Sequence, residues 1–135
     1  MACENLVSVK NIMITFYDCD TDTTIGPIAH ELATEELPMW KTCAWSNEKL
    51  VGGYTKRRAS DVGCELKVIR DLRVPLAYYQ GCAALNMQVE YDNGLVYTGR
   101  GGGTIGDAKS DTHQVALDVT FRTLDELLPA GALAA

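Results

Sequence analysis

Apolar and polar residues alternate with period two in several stretches of the chain, the signature of half-buried strands. The clearest run sets Leu85, Met87, Val89 and Tyr91 against Asn86, Gln88 and Glu90. Asp92-Asn93-Gly94 follows, and Asn-Gly accepts the positive φ of a type I′ turn. Residues 95–98 are therefore predicted to return as the second strand of a hairpin. In residues 114–122, Val115, Leu117, Val119 and Phe121 share one face, while Ala116, Asp118, Thr120 and Arg122 share the other. Cys64, Leu66 and Val68 alternate with Glu65 and Lys67, predicting a strand at 63–70. Residues 6–17 also read as a strand, with Val7 and Val9 in one phase and Ile12, Ile14 and Phe16 in the other. The slip at Lys10-Asn11 is what a β-bulge does.

The period changes once. Leu72, Leu76, Tyr79 and Ala83 stand at helical spacing, and Pro75 suits a first helical turn. One helix is predicted from Val74 to Ala84, with Gly81 its weak point. Residues 18–38 read as an acidic loop, with a short helical turn at 29–37 stopped by Pro38. Residues 39–45 suit a strand, 48–61 an extended loop or hairpin, 99–107 a Gly-rich connection and 124–128 a short terminal turn. Residues 1–5 read as an arm and 129–135 as a flexible tail. Period-two strands with one helix argue a mainly-β single domain over residues 1–135, a β-sandwich or barrel with one flanking α-helix.

Composition narrows the function. A chain of 135 residues can bury a core without disulfides, and 47% hydrophobic residues exclude disorder. The net charge of −6 argues against nucleic acid as an affinity ligand, since such binding runs on Lys and Arg at phosphates. The acidity belongs to one segment: residues 1–40 hold seven acids and one base, and the remainder is balanced. No stretch approaches the ~20 apolar residues of a membrane helix. Met1-Ala2-Cys3-Glu4-Asn5 lacks the basic and apolar regions of an export signal, so cytoplasmic synthesis and reduced thiols are expected.

Candidate chemistry is sparse. The cysteines at 3, 19, 43, 64 and 82 form no Cys-x-x-Cys pair, and only His30 and His113 could add nitrogen ligands, so no metal or other cofactor is expected. Cys64 and Cys82 suit burial as small hydrophobes, whereas Cys3 and Cys19 lie in polar sequence. Residues 18–22 imitate the start of a calcium loop, but Thr23 and Ala29 replace its glycine and glutamate. The glycines of 99–106 lack the Lys-Ser/Thr and following helix of a phosphate loop. No Gly-x-Ser-x-Gly elbow occurs, so a small enzyme would depend on His113 or a thiol. Lys56-Arg57-Arg58 is the only basic cluster, a solvated loop tip or a contact to the acidic segment of another copy. Asn86, Gln88, Glu90, Asp118 and Thr120 make polar strand faces, either a solvated sheet or a wet, non-sticky channel wall.

The layout resembles the tail tube proteins of contractile-tailed bacteriophages. The parts that carry the resemblance are the mid-chain loop 56–61 (Lys56 to Asp61), the strand 64–70, Arg73-Val74-Pro75-Leu76-Ala77-Tyr78-Tyr79 leading a helix, 89–98, and 115–123. It spans roughly residues 5–128 and rests on layout more than on invariant residues. The related tubes of tailocins and secretion systems share it.

The resemblance implies two packed antiparallel sheets with a helix alongside, assembled into stacked, hexameric rings. It further implies a virion tube inside a contractile sheath, with tape-measure, baseplate and tail-terminator proteins as partners. DNA would pass through without specific binding, and the protein would not be an enzyme. On this reading Asn86, Gln88, Glu90, Asp118 and Thr120 line the lumen, while Lys56, Arg57, Arg58 and Asp61 contact a neighbour. Cys3, Cys19 or Cys43 would crosslink subunits once a virion meets oxidising surroundings. A small β-barrel binding module is the competing expectation.

Overall fold

The computed structural model describes residues 8–42, 44–46, 48–104, 109–111 and 113–129. Nine strands form one antiparallel sheet: β1 (Val9–Asp18), β2 (Thr23–His30), β3 (Met39–Lys41), β4 (Lys49–Val51), β5 (Tyr54–Ile69), β6 (Ala84–Tyr91), β7 (Val96–Thr104), β8 (Lys109–Asp111) and β9 (Gln114–Pro129). The order is β2-β1-β6-β7-β9-β5-β3, with β4 attached to β5 and β8 to β9. The expectation of two separate sheets gives way to one sheet that curls on itself. Ile12, Ile14 and Phe16 of β1 share a core with Cys64, Leu66 and Val68 of β5, although three strands separate β1 from β5 in the sheet.

The curl closes through the segment that follows β2. As far as His30 the chain pairs with β1; from Glu31 it pairs with β5. Ile69 N–H donates to Glu31 C=O at 2.8 Å, Ala33 N–H donates to Lys67 C=O at 2.9 Å, and Leu32 bridges Val68. Met39–Lys41 then continues along the same edge of β5. One run of chain thus bonds both margins of the sheet and makes it a barrel. Residues 23–30 of the segment read as an acidic loop are strand β2, and no helix forms at 29–37. Residues 19–22 turn, held by Asp18 Oδ1 on Asp20 N–H at 3.0 Å and by the Tyr17 hydroxyl on Asp22 at 2.7 Å, and 31–38 are irregular apart from the Leu32 bridge.

The predicted helix from Val74 to Ala84 reduces to a short helical turn at Tyr78–Cys82, interrupted at Gln80 and Gly81. Gly81 takes φ +102°, outside the helical region. The anchor is apolar: Tyr79 is fully buried against Phe16, and Tyr78 donates to Asp18 Oδ2 at 3.1 Å. Packing two adjacent tyrosines inward overrides helical spacing, and Leu72 is left exposed.

Other elements follow the alternation. β1 shifts register against β6 between Val9 and Asn11, where the phase break placed a bulge. The β6–β7 hairpin turns at Asp92-Asn93-Gly94, but by a three-residue loop with positive φ at Gly94 rather than a type I′ turn. The Gly-rich stretch is strand from Gly99 to Thr104, not a connection. A Cβ on Gly99 would lie 2.7 Å from the Phe121 ring, and one on Gly102 would meet both that ring at 2.7 Å and the Leu85 carbonyl at 2.8 Å. The glycines make room for Phe121 in the barrel.

The residues of 124–128 form no terminal turn, because β9 runs on to Pro129 opposite Tyr54 of β5. The inward phase switches on both strands together. Val62 and Phe121 face the core, and beyond Asp61, whose φ is +54°, Ala59 and Leu124 do.

Gly99→Ala should cost about 1–3 kcal/mol of unfolding free energy by overpacking, with much of the loss recovered in a Phe121→Leu background. Gly102→Ala should not be recovered there, because the Leu85 carbonyl cannot give way as a side chain can. Urea denaturation of the two glycine variants, of Phe121→Leu and of the two double variants measures both effects.

Candidate functional site

Two consecutive carboxylates organise the end of the barrel opposite the β1–β2 turn. Strand alternation sends Asp125 and Glu126 to opposite faces of β9, yet they are only 5% and 6% exposed. Register sets Arg58 beside Asp125 and Arg57 beside Glu126. Inside, Glu126 accepts from Arg57 Nε and Nη2 at 2.7 and 2.9 Å and from the Tyr97 hydroxyl at 2.9 Å. The Arg57 guanidinium also lies 4.6 Å from the centre of the Trp45 ring. Burial, then Glu126, push the Tyr97 phenol up.

Outside, Asp125 accepts from Arg58 Nε and Nη2 at 2.6 and 3.1 Å and from Arg100 Nη1 at 3.1 Å, with Lys56 Nζ at 3.9 Å. Arg58 holds Asp125 below the usual carboxylate range. One carboxylate against three bases leaves this outer patch net cationic. Lys56, Arg57 and Arg58 therefore sit within a long strand rather than at a loop tip, and Arg57 is turned inward. Asp61 is exposed where the strand changes phase and lies apart from this pairing. Sequence reasoning missed Asp125, Glu126 and Arg100. The available signal was two acids inside the apolar stretch 124–128; their pairing with Arg57 and Arg58 is set by the β5–β9 register, between strands far apart in sequence.

The polar strand faces point away from the packed barrel interior. Asn86 and Gln88 are exposed, Asn86 Oδ1 accepts the Gly101 N–H at 3.0 Å, and Glu90 Oε1 accepts from Asn11 at 3.0 Å. Met13, Thr15, Pro27, Asn86, Met87, Gln88, Thr98 and Arg100 line a shallow groove of about 190 Å³ here. Asp118 and Thr120 are half-buried on β9, separated from β6 by β7. The outer sheet surface is thus polar across β6 and β9, with Arg100 of β7 between them.

The sheet also carries free edges. Among the described residues β2 pairs only with β1, and Pro27 removes one backbone donor from it. Among the described residues β4 pairs only with β5, turning back at Gly52-Gly53, where φ is +54° and +85°. Of residues 48–61, Lys49–Val51 and residues 54–56 form a hairpin with this turn at its tip, and 57–61 continue β5. Leu50 is 83% exposed, and Val51 and Tyr54 are exposed beside it.

Cys3 and Cys43 lie outside the described residues. Cys19 is a free, exposed thiol in the β1–β2 turn. Cys64 is buried, with its thiol pushed up to about 12 by burial. Cys82, expected in the core, is exposed because the helical turn points it outward from buried Tyr78 and Tyr79. His113 is exposed ahead of β9, its carbonyl accepting the Arg70 N–H at 2.7 Å. Among the described residues no cluster of three or more His, Cys, Asp or Glu could hold a metal ion, and no helix is long and apolar enough to cross a membrane.

No family model matches the chain, and no curated protein matches it.

Glu126→Gln should lower stability by about 1–3 kcal/mol, because it strips the inward Arg57 and Tyr97 of a charged acceptor. Asp20→Asn, on the exposed turn, should leave the urea midpoint unchanged within error. In a Cys3→Ser, Cys43→Ser background, a thiol reagent should label Cys19 and Cys82 rapidly and Cys64 only on unfolding, as read by intact mass.

Proposed function

We propose that this chain is a structural subunit that assembles with copies of itself into stacked rings forming a tube, as tail tube proteins of contractile-tailed phages do. The observation that carries the reading is the β4–β5 hairpin: a free strand edge whose tip exposes Leu50, Val51 and Tyr54. An apolar edge of this kind is an aggregation hazard in a monomer and a pairing surface in an oligomer. The interior supports the reading too. It is filled by side chains, and the outer groove of about 190 Å³ falls short of the ~300–1,000 Å³ of small-molecule sites.

On this proposal the polar outer face carrying Asn86, Gln88, Glu90, Asp118 and Thr120 forms the tube wall that DNA slides past. The patch of Lys56, Arg58 and Arg100 lies toward the opposite end of the barrel from the acidic turn at 19–22. Opposite charge at the two ends favours head-to-tail stacking. Sheath, tape-measure, baseplate and terminator proteins would be the partners, and the virion tail the location. Oxidation after lysis would permit crosslinks through Cys19, Cys3 or Cys43.

Negative-stain electron microscopy of the purified protein, with and without reductant, tests the proposal. Rings or tubes with a central hole are expected. Leu50→Glu should give folded monomers with an unchanged circular dichroism spectrum. Monomers at every concentration, with no rings even when a preformed tube end is supplied, would overturn it. Reductant should shorten the tubes if thiol crosslinks join the subunits.

A further inference from the structure

His30 sits where the chain leaves β1 and joins β5, and both of its ring nitrogens are engaged. Nδ1 is 2.9 Å from the Ile28 carbonyl, which can only accept, so Nδ1 carries the proton. Nε2 of the neutral ring then accepts from the Tyr79 hydroxyl at 2.6 Å. That hydroxyl in turn accepts the Asp71 N–H at 2.9 Å. The ring is buried, tilted against Phe16 of β1 and edge-on to Tyr79. The next residue, Glu31, makes the first backbone bond across the closure.

A proton on Nε2 would turn an acceptor into a donor. The Tyr79 hydroxyl could then face it only by accepting twice, leaving its own buried proton without an acceptor. Among the described residues no unpaired carboxylate faces the ring. Asp71 faces His30 from the segment after β5, but its carboxylate is paired with Arg73 at 2.8 and 3.0 Å. Arg70, beside Tyr79, adds a further cation, and its buried Nε has no partner among the described residues. β1 contributes the uncharged Phe16. Glu31 follows His30 just beyond the end of β2 and is exposed.

We propose that the His30–Tyr79 hydrogen bond is an acid-operated latch on the barrel closure: protonation of His30 frees residues 31–33 from β5 while the rest of the sheet stays paired. The mechanism does not depend on the assembly reading. Its pH window follows from the direction in which burial moves the imidazole. Burial holds His30 below the ordinary 6.5 in the closed state. The open state regains the ordinary value and binds more protons, so the closed state loses stability as pH falls below about 6.5. The loss continues until the folded value is reached.

Amide hydrogen exchange, expressed as protection factors at pH 7.5, 6.0 and 5.0, tests the latch. Ala33 and Ile69 donate across the closure. Their protection should fall by up to about tenfold per pH unit below 6.5, the limit for one linked proton. Val119 of β9, paired to both neighbours, should keep its protection. In His30→Gln, whose amide does not titrate, the closure amides should lose this pH dependence. Unchanged protection of Ala33 and Ile69 at pH 5.0 in the native protein would overturn the proposal, as would persistence of the loss in His30→Gln. If His30→Gln fails to fold, the native protein decides through NMR. Nε2 of His30 should become protonated over the same pH range in which the two amides lose protection, and a mismatch of the two curves would overturn the latch.

Discussion

A curled sheet with two open margins gains little from its curl unless something ties the margins together. Here a single run of chain does so. It completes the β1 pairing up to His30, crosses over, and bonds the edge of β5 from Glu31. Within that closure β1 and β6 bury their apolar faces against β5 and β9. At the crossing His30, the Tyr79 hydroxyl and the Asp71 amide form a chain of hydrogen bonds.

The far end of the barrel solves a different problem. There β5 and β9 continue beyond the apolar core, and two acid–base pairs replace it. Each carboxylate is nearly buried, but each faces guanidinium nitrogens aligned by register, so neither charge is left alone. Arg57 stacks on Trp45 and closes the interior; Arg58 and Arg100 stay half in water and give the outer face its cationic patch. The same register therefore builds an internal plug and an external surface from neighbouring residues. That surface, with the apolar hairpin tip beyond it, is what draws the functional reading toward self-assembly.

The alternation along β1, β6 and the first half of β9 determined those strands, the bulge at Lys10 and the hairpin at Asp92-Asn93-Gly94, because a period-two pattern is local and each strand buries one face. The same rule hid the second half of β9. Its inward phase switches between Phe121 and Leu124, in step with the positive φ of Asp61 across the pair, and a broken period looks like the end of a strand. The glycines of β7 carry no side-chain pattern at all; only the Phe121 ring packed over them shows why they are glycines. Tertiary packing alone decided that Tyr78 and Tyr79 would both be buried, which dissolved the helix, and that residues 31–33 would bond β5. Such bonds join positions that are distant in sequence through backbone atoms, which every residue but proline supplies alike, so nothing in the side chains records them.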